Sequence, residues 1–192
     1  TLWAWGSNAY GQLGQNGPHQ VQYSSPIQIP GTTWNKSQVG ALHIFATKSD
    51  GTMWAWGRNF GGMLGLNNET MLSSPTQIPG TNWFTSATKK TIATASQCTA
   101  AIKSDGTLWA WGHNADGWLG LNDRTQYSSP IQIPGTNWNE ISGGDKNWMA
   151  TKTDGTLWLW GSQNGVGSLG QNNTVKYSSP VQVPGTTWAG IA

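Results

Sequence analysis

The side chains that could carry acid–base, nucleophilic or metal chemistry are few and scattered along the chain. The three histidines are His19, His43 and His113, the single cysteine is Cys98, and eight residues are acidic. Metal sites and catalytic triads bring several such groups together, and metal ligands usually follow recognisable spacings. No such spacing occurs here, and Cys98 is typical of a small core residue. The sequence therefore predicts no catalytic residue, no metal and no cofactor, in a protein that is not an enzyme.

A glycine-rich loop, Gly112–Gly120, has a spacing similar to that of phosphate-binding loops. Its sequence is GHNADGWLG, and related loops follow the other Trp-x-Trp-Gly runs. A phosphate-binding loop needs a helix N-terminus directly after it, where backbone N–H groups point at the anion. No helical pattern follows any copy of this loop, so we interpret its glycines as turn residues.

The same loops contain the positions that differ most between copies. Constant glycine, asparagine and leucine residues alternate with variable positions, which we call slots, and these hold different aromatic and charged side chains in different copies. Such side chains on one loop surface are typical of a recognition surface. Neutral drift on solvent-exposed loops is the alternative explanation. The candidate binding residues are Tyr10, Arg58, Phe60, His113, Asp116 and Trp118.

These loops belong to a repeat that fills the chain. A Thr-(Leu/Met)-Trp-(Ala/Leu)-Trp-Gly motif begins at Thr1, Thr52, Thr107 and Thr156, with spacings of 51, 55 and 49 residues. A period of this length is typical of a propeller blade or a similar β-unit. The repeat divides a single domain, 1–192, into units 1–51, 52–106, 107–155 and 156–192, the last of them incomplete.

Asp-Gly pairs precede three of the four motifs and predict tight turns. Each pair lies between two apolar runs, as in a β-hairpin. In the strand after one turn, Trp54 and Trp56 share one face while Met53 and Ala55 share the other, so we expect burial on both sides. The predicted structural set consists of twelve repeated tryptophans and three turns: Trp3, Trp5, Trp34, Trp54, Trp56, Trp83, Trp109, Trp111, Trp138, Trp158, Trp160 and Trp188, with Asp50-Gly51, Asp105-Gly106 and Asp154-Gly155.

Prolines bracket the last strand of each unit, as Pro75 and Pro79 do in the second. Because proline cannot donate a hydrogen bond to a ladder, this strand is expected at the outer edge of its sheet. No sustained helical period occurs. Four short strands per repeat predict an all-β fold, a β-propeller of four-stranded antiparallel blades, with about three and a half to four blades in this chain. We expect tryptophan packing between blades to hold it together.

The composition excludes two classes of partner. Charged residues are 9% of the chain and the net charge is +2, while 14 tryptophans accompany 26 glycines. Nucleic-acid binding normally needs a basic stripe, and the basic residues are scattered. No apolar run is long enough for a membrane span. We therefore expect no nucleic-acid partner and no membrane insertion. The polar, charge-poor surface favours a location outside the cell or on a virus particle.

The repeat resembles a known family. The runs KSDGTLWAWG-x-N-x-x-G-x-LG and SSP-x-QIPG, with Gly40-x-x-His43 ahead of the second copy, are similar to the regulator of chromosome condensation repeat in its bacterial and viral form. The resemblance implies a seven-bladed ring. We expect this chain to be an open arc of about three and a half blades in a longer protein, and a closed four-blade ring is the alternative. Cys98 and Asn147 replace His43 in later units, so the inner-strand motif is loose.

The resemblance implies binding rather than catalysis. The best-known eukaryotic member is a nucleotide-exchange factor for a small GTPase that also binds chromatin, and none of its functional residues matches a position here. Other members are inhibitors, lectin-like binders and surface scaffolds.

Our leading hypothesis is a non-enzymatic scaffold that binds a protein partner on a cell surface or virus particle, with further blades or neighbouring subunits completing the ring. The alternatives are a lectin-like propeller, in which Tyr10, Phe60 and Trp118 stack on a surface glycan, and nucleotide exchange on a GTPase.

Overall fold

The computed structural model describes residues 1–17, 21–83, 86, 88–162 and 164–191. These residues form fourteen β-strands and one short 3₁₀ turn, Phe60–Gly62, without an α-helix. The strands make one two-stranded and three four-stranded antiparallel sheets. The strands are, sheet by sheet, β1 (Trp3–Ser7) and β2 (Gln22–Gln28); β3 (Trp34–Val39), β4 (His43–Lys48), β5 (Met53–Gly57) and β6 (Leu72–Gln77); β7 (Ile92–Thr94), β8 (Cys98–Ile102), β9 (Leu108–Gly112) and β10 (Tyr127–Ile133); β11 (Trp138–Gly143), β12 (Asn147–Lys152), β13 (Leu157–Gly161) and β14 (Tyr177–Val183).

Each four-stranded sheet is ordered as its strands follow in the chain, from an inner to an outer strand. The inner strands lie side by side, because β7 contacts both β3 and β11. The proline-containing strands β2, β6, β10 and β14 are the outer edges, where the missing proline donor costs no ladder hydrogen bond. The prediction of four-stranded propeller blades, about three and a half in this chain, is confirmed.

The strand after each Asp-Gly turn is buried because its sequence is apolar on both faces. In β5, Met53, Ala55 and Trp56 are fully buried, and Trp54 is half-buried. This strand pairs with β4 on one side and β6 on the other. Its two faces pack against neighbouring sheets, so each tryptophan pair contributes to a junction between blades.

A tryptophan and a glycine meet at each junction between sheets. The indole of Trp111 lies against Gly65 of the preceding sheet, and a Cβ at that glycine would lie 2.8 Å from the indole nitrogen Nε1. Gly65 has a φ of +73°, a left-handed conformation that glycine adopts without strain. The Leu-Gly end of each loop therefore makes room for the ring of the next blade. The same contact joins Gly14 to Trp56 and Gly120 to Trp160.

Backbone hydrogen bonds reinforce these junctions. The N–H of Asn67 donates to the carbonyl of Ser128 at 2.7 Å, and the hydroxyl of Ser129 donates to the Asn67 side chain at 3.1 Å. Asn67 adopts a φ of +57°, which asparagine tolerates better than most residues. The repeated Ser-Ser pair before each outer-strand proline is thus hydrogen-bonded to the loop of the preceding blade. Equivalent bonds run from Asn16 to Ser73 and from Asn122 to Ser178.

Three of the twelve repeated tryptophans do not lie between sheets. Trp3 and Trp5 in β1 are 49% and 61% exposed, and Trp188 near the other end of the chain is 42% exposed. Their rings face the outer sides of the first and last sheets, against which no further sheet of the described chain packs. The expectation of burial between blades was wrong for these three, because a junction needs a sheet on both sides.

Candidate functional site

The variable loops gather on one face of the arc. Successive strands run antiparallel, so the β5–β6 loop and the β3–β4 turn lie at the same end of their sheet. The equivalent loops of the other sheets share this end, which we call the loop face. The Asp-Gly turns lie at the opposite end, which we call the turn face. The candidate binding residues Tyr10, Arg58, Phe60, His113 and Asp116 therefore share one face.

A buried asparagine builds each of these loops. In the second sheet, the Oδ1 atom of Asn59 accepts a hydrogen bond from the N–H of Leu64 at 2.9 Å. Its Nδ2 atom donates to the carbonyls of Asn68 and Thr70, at 2.9 and 3.0 Å. The side chain thus ties together both ends of the loop and fixes the slots between them. Asn8, Asn114 and Asn164 are the equivalent residues, each bonded to the N–H of the leucine five residues later.

Four of the predicted binding residues form a continuous chain of contacts across three blades. The guanidinium carbon of Arg58 lies 5.2 Å from the ring centroid of Tyr10, in the preceding blade, and 5.4 Å from that of Phe60. Phe60 lies 6.0 Å from the ring of His113, in the following blade, with the planes tilted by 31°. These separations lie within the range of cation–π and aromatic contacts.

Two further residues extend this chain of contacts. The ring of His113 meets Trp118 edge-on at 5.3 Å, and the ammonium of Lys146, ahead of β12 in the last sheet, lies 5.3 Å from the Trp118 ring. We call the six residues Tyr10, Arg58, Phe60, His113, Trp118 and Lys146 the cation–aromatic row. It links all four sheets across the loop face.

Trp118 was predicted to be a surface residue, and this was wrong. Its side chain is only 5% exposed and packs in the core with Trp148 and Trp160. Trp118, in the slot before Leu-Gly, packs into the junction between blades. Met63, which fills the same slot in the second sheet, is buried as well, whereas Ser168 in the last sheet is exposed. Trp118 therefore packs beneath the loop face, and a ligand would contact the more exposed residues of the row.

The exposed part of the row consists of the remaining predicted residues. Phe60 is 46% exposed, while Tyr10, Arg58 and His113 are half-buried. Asp116 is exposed on the same face, but it makes no hydrogen bond, ion pair or ring contact with the described residues. The structure therefore joins Tyr10, Arg58, Phe60 and His113 in one surface and leaves Asp116 beside it.

His113 is fixed by polar neighbours that the sequence analysis did not single out. Its Nδ1 atom lies 3.3 Å from the Oε1 atom of Gln126, and the Nε2 atom of Gln126 donates to the carboxylate of Glu69 at 2.6 Å. Glu69 belongs to the second blade, whereas His113 and Gln126 belong to the third. This network holds the imidazole between Phe60 and Trp118 and links two blades at the surface.

The turn face carries a second repeated contact, in which a lysine lies between two indoles. The Nζ atom of Lys48 lies 4.9 Å from the ring centroid of Trp34 and 4.0 Å from that of Trp54. The repeated Lys-(Ser/Thr)-Asp-Gly sequence contained this signal, which our sequence analysis used only for the turn. Equivalent contacts place Lys103 over Trp83 and Trp109, and Lys152 over Trp138 and Trp158.

The Asp-Gly turns beneath these lysines share one set of hydrogen bonds. In the second sheet, the Oδ1 atom of Asp50 accepts from the hydroxyl and the N–H of Thr52, at 2.6 and 2.9 Å. The threonine side chain, followed by its backbone N–H, lowers the pKa of Asp50 below its ordinary value. Gly51 provides the positive φ of the turn, +78°. Asp105-Gly106 and Asp154-Gly155 have the same bonds and the same direction of pKa shift.

Two groups with catalytic potential, His43 and Cys98, are buried in different sheets. Burial lowers the pKa of His43 to about 4 and raises the pKa of the Cys98 thiol to about 12, so both stay uncharged near neutral pH. No three His, Cys, Asp or Glu side chains among the described residues come together as metal ligands. His19 lies outside the described residues. Within the described part of the chain, no helix has the length and apolarity to cross a membrane.

Comparison with known proteins supports the same fold. The chain is 29% identical over 143 residues to the ultraviolet-B receptor UVR8 of Arabidopsis thaliana, covering 73% of this chain and 32% of that protein. It is 32% identical over 136 residues to the X-linked retinitis pigmentosa GTPase regulator of the dog, covering 69% and 13%. The crystal structure of human WBSCR16 superposes with a TM-score of 0.79 at 23% identity, covering 95% of this chain and 47% of that one.

The chain spans about a third or less of the length of these two curated relatives. The family model of the regulator of chromosome condensation (RCC1) repeat matches residues 1–46, 50–102 and 105–150. These matches cover most of the chain and coincide with the loops and tryptophan junctions described above. The chain therefore belongs to the regulator of chromosome condensation (RCC1) repeat family.

Proposed function

We propose that the chain is a non-enzymatic scaffold that binds a partner protein through its loop face. The observation that carries this proposal is the cation–aromatic row, whose exposed members Tyr10, Arg58, Phe60 and His113 touch one another across three blades. Tyrosine and arginine are enriched at the energetic centres of protein interfaces, and charge-poor surroundings suit the core of such a patch. The constant framework around the row holds these side chains in place without a ligand.

Regulation of a GTPase is the second candidate. It is supported by the likeness to the X-linked retinitis pigmentosa GTPase regulator of the dog, which is 32% identical over the matched region. The carbohydrate-binding alternative is less well supported, because one of its three predicted stacking rings, Trp118, is buried. Sugar stacking needs exposed aromatic faces, and only Phe60 and Tyr10 remain on this surface.

Display on a cell surface or a virus particle remains part of our proposal. It is supported by the low content of charged residues, 9%, and by a surface rich in Asn, Gln, Ser and Thr. Immunogold labelling of intact, unpermeabilised cells or particles with an antibody to the turn face tests this location. Labelling only after permeabilisation would contradict it.

The experiment that tests the scaffold compares two variants with opposite faces altered. In the row variant, Arg58→Gln and Phe60→Ser remove the central contacts of the row. In the control variant, Ser49→Arg and Ser104→Arg alter exposed residues on the turn face. Partners captured by the unaltered protein from an extract of its own organism are identified by mass spectrometry, purified, and titrated calorimetrically against all three proteins.

We expect the row variant to bind the purified partner at least about tenfold more weakly, a loss of about 1.4 kcal/mol, and the control to bind normally. Loss of binding in the control alone would show that the turn face is the interface. For the GTPase candidate, release of a fluorescent nucleotide from the captured GTPase is measured with and without each protein. An unchanged release rate would exclude exchange activity on that GTPase.

A further inference from the structure

The guanidinium of Arg58 lies against two rings, and none of the described residues supplies an acceptor for its hydrogen-bond donors. It lies over Tyr10 at 5.2 Å and over Phe60 at 5.4 Å. Its backbone N–H donates to the carbonyl of Leu42 at 2.9 Å. No described residue forms a hydrogen bond or an ion pair with the guanidinium itself.

Two aromatic neighbours restrict a long side chain that would otherwise sample many rotamers. A guanidinium is planar, carries five N–H donors in a fixed fork, and keeps its charge at any physiological pH. The rings occupy its surroundings without satisfying those donors, because an aromatic face attracts the charge but accepts no strong hydrogen bond. The fork is therefore ordered before a ligand arrives, which reduces the entropy lost on binding.

The charges around Arg58 favour a single carboxylate as the ligand. The other cation of the row, Lys146, lies over Trp118 two blades away, and sites for phosphorylated groups generally use clusters of arginines. The carboxylate of Glu69, near the middle of the row, already accepts a hydrogen bond from Gln126. A planar carboxylate matches the guanidinium fork with two parallel hydrogen bonds.

We propose that Arg58 is the anchor for an Asp or Glu side chain on an exposed segment of the partner protein, and that Tyr10 and Phe60 position the guanidinium. This inference rests on the proposed scaffold function and adds the chemistry of the partner. The carboxylate pairs with the fork, while neighbouring atoms of the partner segment pack on the exposed ring of Phe60.

The chain contains only two arginines, Arg58 and Arg124, which allows a test with an internal control. Arg124 is exposed and has no contact with an aromatic ring in the described chain. The Nε–Hε resonances of ¹⁵N-labelled protein are followed by NMR during titration with the capped peptide Gly-Glu-Gly at low ionic strength. The uncharged peptide Gly-Gln-Gly and a peptide with phosphoserine in the central position serve as comparisons.

We expect the Arg58 resonance to shift saturably with the glutamate peptide, with an apparent affinity at least about fivefold higher than that shown by Arg124. The Phe60→Ser variant should lose about fivefold in that affinity, which corresponds to about 1 kcal/mol of positioning, with an unchanged melting temperature. Arg58→Gln removes the shifting resonance and identifies it.

Three results would overturn the inference. Equal shifts of both arginines would show general charge attraction, and tighter binding of the phosphoserine peptide would show a phosphate site. If the Arg58 resonance does not respond to the glutamate peptide while the row variant still fails to bind the partner, the carboxylate anchor is excluded and the scaffold proposal is retained. Retained partner binding in the row variant would instead remove the scaffold proposal.

Discussion

The indole Nε1 of Trp111 donates a hydrogen bond to the backbone carbonyl of Met63, 2.9 Å away, across the junction between two blades. Trp56 makes the same bond to Gln12, also at 2.9 Å. At the third junction, the buried Nε1 of Trp160 has no hydrogen-bond partner among the residues that the structure describes. The junctions share their packing but differ in this one bond, and the difference can be measured.

Replacing Trp111 with Phe should destabilise the fold more than replacing Trp160 with Phe. Both rings are fully buried, so the loss of ring volume is similar in the two variants. Only Trp111→Phe also removes a buried hydrogen bond, which is worth about 1 kcal/mol. Urea denaturation followed by circular dichroism gives the two free energies of unfolding. Equal losses would show that the indole hydrogen bond contributes nothing at the junction.

Gly65→Ala should destabilise the protein by about 2–5 kcal/mol. The new methyl group would lie 2.8 Å from the indole nitrogen of Trp111, and the residue would be strained at a φ of +73°. Gly165→Ala is the matched control, since a Cβ there meets nothing within 4 Å and no left-handed φ is required. Thermal unfolding of the two variants checks the prediction. A Gly65 variant as stable as the control would mean that the junction relaxes at little cost.

Asn59→Ala should destabilise the second blade's loop by about 2–4 kcal/mol. The substitution removes hydrogen bonds to Leu64, Asn68 and Thr70 and leaves the buried N–H of Leu64 unsatisfied. Asn35→Ala, at an exposed position of β3, should change stability by less than about 0.5 kcal/mol. Chemical denaturation gives the free energies, and hydrogen exchange of the Leu64 amide locates the loss. Protection of that amide in the Asn59 variant would contradict the assigned role.

His43 should make the protein less stable as the pH falls from about 6.5 to about 4. Burial lowers its pKa from 6.5 to about 4, so in this window the unfolded chain binds a proton that the folded chain does not. Above pH 6.5 the folded and unfolded chains both carry neutral His43, and the free energy of unfolding is at its full value. By pH 4 we expect it to have fallen by about 3 kcal/mol. The free energy of unfolding measured across this window gives the slope.

Replacing His43 with the residue found at the equivalent position of the third blade tests whether His43 causes the pH dependence of stability. Cys98 pairs with Gly112 as His43 pairs with Gly57, so His43→Cys places a residue that the repeat already accommodates. This variant should lose most of the pH dependence between 6.5 and 4, whereas Asn35→Ala, which removes no titratable group, should retain it. A slope that persists in the His43 variant would assign it to other groups. The aspartates of the turns, whose pKa values are lowered, act below this window.

The sequence predicted the sheets well because the physical signals were strong and repeated. Trp54 and Trp56 alternate with apolar Met53 and Ala55, which only a strand buried on both faces accommodates. The sequence also pointed to the loop face, since variable side chains stand out against a constant frame. It did not predict that Arg58 would contact Tyr10 of the preceding blade, because this distance depends on how two sheets pack.

Trp118 shows why variability is an incomplete guide to exposure. The slot before Leu-Gly differs between units, yet in the second and third sheets its side chain is buried, so packing at the junction limits which residue fits there. Lys146 was missed for a different reason, because it lies ahead of β12, outside the variable loop. The constant asparagine, Asn59 in the second blade, could have been recognised from the sequence, since a buried amide that bonds backbone groups must recur wherever the loop does.

The contact between Tyr10 and Arg58 spans the junction between the first sheet, which has two described strands, and the second. In a repeat array each unit is stabilised mainly by its nearest neighbours, so the contacts at one junction decide how readily two units separate. A ligand seated over both residues would bridge the first and second sheets and oppose their separation. Binding at the loop face would then also slow amide exchange along β1 and β2, in backbone groups that the ligand does not touch.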